Sequence, residues 1–395
     1  MPPGLRALLL AVGLVGHVFL QAVPAWKSIS KASSGRDFAS YYYAAEVARE
    51  GGNPYDTDAL ELAARAQKTR KQVHPFFYPP PFVGVVAWAP SWSLHDAYKI
   101  SFILNELALA GCLAVGVAWF SVPLWAVAAL LCTWSPIPDN AWMGQANLWA
   151  LLPALVGLGL VERSREVGHQ SSTTTRNQVA GGILVGLAAM LKMSPALFLL
   201  YWLIRRQWVP IAAACGTAIA SSIAVLPLVD FAAQREFYLA ILPGFSAGDY
   251  HGLSVPISLP ANHSIADLYD RAFPNAGRLL SDEARRATAA SAAALLAIWG
   301  WFAYRYGREP MPVATNLGLP NASEGETGGH SPTTRRSRVI LLAALTFLMV
   351  VIPVYTYEHH LVFLVVAVGV AAGGVQAVAY DDWRAGRRTQ ATLWW

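Results

Sequence analysis

Apolar residues run through this chain in blocks of about twenty, the length an α-helix needs to cross the hydrocarbon core of a bilayer. In lipid the backbone finds no water to bond, so such blocks fold as helices that satisfy their own N–H and C=O groups. Charged residues make up 13% of the sequence, against about 25% in an ordinary soluble domain. The expected fold is therefore all-α: a polytopic transmembrane helical bundle of about ten or eleven spans, forming one domain over residues 1–395. Residues 5–23, with Arg6 as a basic start and 8–20 as the apolar core, read as an uncleaved first span. No small-x-small cleavage site precedes Pro24, and many spans follow. A short apolar segment ends near Trp92, and further spans are expected at 100–120, 122–135, 146–161, 179–204, 208–229, 287–304, 339–355 and 361–379. A chain of this kind is a cell-membrane protein. Its basic residues gather at span ends, so its high isoelectric point gives no reason to expect nucleic acid as a partner.

Two long polar excursions interrupt the pattern, at 25–78 and 230–286, and residues 305–338 form a Gly/Pro/Ser/Thr-rich stretch expected to be a flexible cytoplasmic loop. Within the first excursion a helix is predicted over 38–50. Gly51-Gly52 stops it, Asn53-Pro54-Tyr55-Asp56 makes a turn, and a second helix follows over 58–71. Lysine and arginine placement puts both excursions and the residues around His359 outside the cell, and Arg205, Arg206, Arg305, Arg308 and Arg335 inside. One segment strains this assignment. Arg163, Arg165 and Arg176 argue that the loop at 162–178 is also inside, which requires 179–204 to turn back at Lys192-Met193-Ser194-Pro195 rather than cross as one span.

Several polar groups sit where an apolar chain does not keep them without a use. Asp37 begins the first-excursion helix and reads either as a helix N-cap or as a carboxylate beside an apolar face, tuned for general-base work. Lys192 lies in an apolar stretch next to a helix-breaking proline. It reads as a cavity cation suited to a phosphate, or as a structural lysine bonded to freed carbonyls. Gln145 and Asn147, with Asp139 and Asn140 nearby, form a capped interhelical turn or a set of amides for sugar hydroxyls. His359 and His360, preceded by Glu358, suit a phosphate or a sugar. Adjacent histidines point to different helix faces and no carboxylate-rich set completes a site, so no metal is expected. Tyr41, Tyr42, Tyr55, Asp56, Tyr78 and His263 are expected to position the outer loops or contact an acceptor. Cys112, Cys132 and Cys215 lie in apolar segments and read as small core residues.

In order along the chain, Asp37-Phe38-x-x-Tyr41-x-x-Ala44-Ala45, Asn53-Pro54-Tyr55-Asp56, Phe77-Tyr78-Pro79-Pro80, Gly144-Gln145-x-Asn147, Lys192-x-x-Pro195 and His359-His360 resemble the GT-C superfamily of polyprenol-dependent glycosyltransferases. Within it the chain most resembles glycosyltransferase family 87, which includes mycobacterial mannosyltransferases of phosphatidylinositol mannoside synthesis. The resemblance implies an enzyme without a cofactor that moves a hexose, usually mannose, from a polyprenyl-phosphate sugar to a lipid or glycan acceptor at the outer face. Asp37 would be the base, and Lys192, His359, His360, Gln145 and Asn147 would bind the donor. The pattern departs from the family at Tyr357-Glu358 and in the short segment after Pro81. A transporter or lipid-linked sugar flippase is the alternative from another class. Against it stand a single broken segment and no matching half.

Overall fold

In the computed structural model the described residues are 2–29, 35–69, 72–166, 172–246, 257–258, 260–274, 279–307, 332–353 and 355–384. Most of the predicted loop at 305–338 falls outside them. Among the described residues all regular structure is helical, with no strand. Three helices are long and apolar enough to cross a membrane: α1 (Pro3–Ser28), α5 (Leu94–Phe120) and Asp282–Tyr306, the apolar body of α14 (Asp282–Gly307). The other predicted spans are shorter or broken apolar helices, among them Leu124–Thr133 (α6) and Trp208–Ala224 (α11).

The first excursion is no loop in the ordinary sense. Its helix α2 (Arg36–Arg49) buries Phe38 through Ala45 at 3% exposure or less, on every face rather than on one stripe. Aromatic rings supply the surroundings. Tyr41 meets Phe82 edge-on at 5.0 Å between centroids, and Phe76 stacks on Phe82 at 6.1 Å. Such pairs contribute about 0.5–1.5 kcal/mol each beyond area burial. The next helix, α3 (Thr57–Ala66), is shorter than predicted, and Asp56 caps it by accepting from the N–H groups of Asp58 and Ala59. Then come α4 (Pro80–Val86), α7 (Pro136–Met143) and α8 (Asn147–Glu166).

The segment at 179–204 does turn back. Helix α9 (Ser172–Leu191) packs along α8, ends at Leu191, and gives way to a 3-10 turn at Ser194–Leu197 and a short α10 (Phe198–Ile204). Lys192 at the break hydrogen-bonds Asn147 at the start of α8. Arg205, just past α10, pairs with Glu162 at 2.5 Å, near the far end of α8. Those two ends of α8 are roughly 22 Å apart at 1.5 Å per residue. The chain therefore travels out along α9 and returns through the 3-10 turn and α10. Arg338 of α15 (Pro332–Val351) also reaches Glu162, at 3.5 Å. Both basic regions thus share one end of the bundle, as their charges require.

Two glycines lock α2 in place. Gly35 (φ +61°) precedes the helix and donates its N–H to the carbonyl of Trp142 at 2.8 Å; Gly144 (φ +73°) closes α7. A Cβ on Gly144 would lie 2.6 Å from Phe38 Cβ, in a left-handed conformation that suits glycine. Gly144→Ala is expected to cost about 2–4 kcal/mol from strain and overpacking together. A lowered unfolding temperature of the detergent-solubilised protein checks this.

Candidate active site

A cavity of about 830 Å³ opens where α2, α7, the 192–197 break, α14 and the Tyr357–Phe363 region converge. Asp37 lies on its wall, in the first turn of α2, and its side chain is 15% exposed. It is not the N-cap: the helix begins at Arg36, behind Gly35, because only the left-handed glycine lets the chain enter at this angle. The carboxylate is free to bond sideways. His74 Nδ1 lies 3.1 Å from Asp37 Oδ1, and Gln145 Nε2 donates to Oδ2 at 2.6 Å.

Gln145 cannot turn over. Tyr78 donates its hydroxyl to Gln145 Oε1 at 2.8 Å, and the Tyr41 hydroxyl lies 3.2 Å from the same oxygen. Burial pushes both phenols well above their ordinary range, so they stay neutral donors. The amide must then present its N–H to Asp37. Burial pulls the Asp37 carboxyl upward, but the His74 hydrogen bond, the charges of His359 and His74, and Gln145 together hold it below its ordinary value. The group is an ionised carboxylate with one cavity-facing edge.

A protonated Asp37 cannot accept a proton, so activity that depends on it is present above its pKa and lost as pH falls through it. His74 makes the largest contribution to holding that value down. In His74→Ala the upward pull of burial is less opposed, and the acidic limb of the pH dependence of kcat/KM moves to higher pH.

Lys192 lines the same cavity. Its Nζ donates to Asn147 Oδ1 and lies 6.0 Å from the Tyr78 ring centroid and 5.7 Å from that of Phe363. His360 lines it as well. Its Nδ1 accepts from the Tyr357 backbone N–H at 3.2 Å, which leaves Nε2 as the donor of the neutral ring. His359 is buried, with Nδ1 3.3 Å from Asp139 Oδ2. Much of the remaining lining is apolar, Leu242, Phe245, Ala292, Met349, Val350 and Ile352 among it.

The other sequence candidates fall into supporting positions. Tyr55 is buried and donates to the Tyr78 carbonyl at 2.9 Å, fixing the strand of chain that carries Tyr78. Tyr42 donates to the Trp92 carbonyl, away from the cavity. Asn147 is fully buried; it holds Lys192 instead of lining the cavity. His263 has an exposed side chain, and its backbone N–H donates to the Thr356 carbonyl. Among the cavity residues that escaped the sequence reading are His74, Arg36 and Arg285. The only signal for His74 was a lone histidine before Pro75 in the same excursion as Asp37.

Residues 76–323 match the model of glycosyltransferase family 87. A stretch of 162 residues is 28% identical to the polyprenol-phosphate-mannose-dependent alpha-(1-2)-phosphatidylinositol mannoside mannosyltransferase of Mycolicibacterium smegmatis. That stretch covers 38% of this chain and 35% of the relative, so the match spans about a third of the relative's length. No solved structure matches. Tyr78, Gln145, Asn147 and Lys192 lie inside the family match, while Asp37, His359 and His360 lie outside it.

Proposed function

This chain belongs to glycosyltransferase family 87, and on that premise we propose that it transfers a hexose, mannose by analogy with the mycobacterial relative, from a polyprenyl-phosphate sugar to a lipid or glycan acceptor. One observation carries the reading: the Asp37 carboxyl, held by Gln145, and the Lys192 amine, held by Asn147, line a single cavity with many apolar residues. The acceptor hydroxyl gives its proton to Asp37 as its oxygen attacks the anomeric carbon. The bond from that carbon to the phosphate oxygen breaks, and the electron pair leaves with the polyprenyl phosphate. Lys192 and the Nε2–H of His360 receive the charge that develops there. Attack opposite the leaving group inverts the anomeric centre. The apolar side takes the first isoprene units of the donor.

The basic cluster around Glu162 supports a cytoplasmic position for that end. The cavity lies at the other end of α8, which supports an extracytoplasmic active site. The test is transfer of label from a radiolabelled polyprenyl-phosphate mannose in membranes containing the protein. Transfer to a lipid-extractable or glycan product is expected. Uptake of the donor into vesicles with no product would sink the reading.

A further inference from the structure

Lys192 is the terminus of a buried row of amides. Its Nζ donates to Asn147 Oδ1. Asn147 Nδ2 donates to Asn140 Oδ1 at 2.9 Å and to the His359 carbonyl at 2.9 Å. Asn140 Nδ2 donates to Asn105 Oδ1 at 3.3 Å, and Asn105 Nδ2 ends the row on the Ser101 carbonyl at 3.1 Å. The three asparagines are 0–2% exposed, and they sit on three different helices, α8, α7 and α5. An ammonium can only donate, so Asn147 must turn its oxygen to Lys192. Its NH2 then requires an oxygen from Asn140, and the same demand passes to Asn105. Flipping any one amide sets N–H against N–H among buried groups. The row therefore has one polarity, with every oxygen facing Lys192 along the row.

We propose that Asn105, Asn140 and Asn147 form a directional amide relay that positions the Lys192 ammonium for the leaving phosphate, with Asn105 as a positioning residue remote from the cavity. Aligned amide dipoles strengthen one another at low dielectric, so the relay keeps one N–H bond of Lys192 fixed. The other two have no hydrogen-bond partner among the described residues and remain for substrate oxygens. The inference rests on the reading of Lys192 given under Proposed function.

The experiment is a double-mutant cycle read by radiolabel transfer from polyprenyl-phosphate mannose. Asn105→Ala removes the distal acceptor without touching the cavity. It is expected to lower kcat about 3- to 10-fold, the worth of one buried hydrogen bond, and to leave KM within about twofold. In a Lys192→Met background the same change is expected to do nothing further. Asn105→Asp retains the acceptor and is expected to bring kcat back to within about twofold of the parent. Equal losses in both backgrounds, a loss confined to KM, or an unchanged kcat in Asn105→Ala overturns the relay alone. If Asn105→Ala does not accumulate in membranes, the cycle is run with Asn105→Leu, which fills the gap without offering an acceptor, and the same outcomes decide. Parental activity in Lys192→Met overturns the phosphate assignment and the relay with it.

Discussion

Asp37→Asn is expected to lower kcat by about a hundredfold to ten-thousandfold, the range a positioned general base contributes. The substitution is nearly isosteric, so the packing of α2 and the aromatic cluster around Tyr41 and Phe82 should survive. What changes is the proton balance. Gln145 is fixed by Tyr78 with its N–H toward residue 37. The new amide must offer it an oxygen, which turns the new NH2 toward His74 Nδ1 and the cavity edge. A neutral donor then stands where an acceptor of a proton is needed. KM for the donor should change little, because Lys192 and the apolar wall are untouched. Label transfer from polyprenyl-phosphate mannose, measured beside the unfolding temperature of the same preparation, separates the effect from misfolding. Parental turnover in a correctly folded Asp37→Asn protein would remove the base from the mechanism. That result carries particular weight because Asp37 stands outside the residues matched by the family.

The helical class and the positions of most apolar helices were legible because lipid leaves the backbone one solution and the apolar blocks announce it. The turn at Lys192-Met193-Ser194-Pro195 was only half legible: charge allowed either a turn or one span with the 162–178 loop outside, and the Glu162–Arg205 pair decides for the turn. The depth of α2 was not legible. Its residues mix tyrosine and alanine without an apolar stripe, and rings from later in the chain, Phe76, Tyr78, Phe82 and Tyr98, fold over it to bury it. The same reason hid the start of that helix. A reading by local preference makes Asp37 a cap, whereas the left-handed Gly35 starts the helix two residues earlier and frees the carboxylate. Asn105 was invisible for another reason. A single amide in a 27-residue apolar helix says nothing until its partners, 35 and more residues away, are known.

Lys192→Met is expected to cost kcat about a hundredfold to a thousandfold, the loss seen when one fixed donor to a developing oxyanion is removed. The phosphodiester of a polyprenyl-phosphate sugar carries one negative charge, and the monoester that leaves carries two. A cation on the leaving oxygen therefore binds the transition state more strongly than the ground state, so its loss falls on kcat more than on KM. Methionine fills a similar apolar volume between the Tyr78 and Phe363 rings, but leaves Asn147 Oδ1 without its donor. Lys192→Arg tests charge against geometry. Its guanidinium is a planar fork where the site is built for a point donor between two rings, so it should restore only part of the rate. Single-turnover transfer with saturating donor measures the chemical step directly. A Lys192→Met protein that transfers at the parental rate would leave the Nε2–H of His360 as the donor to which the leaving charge must then be assigned.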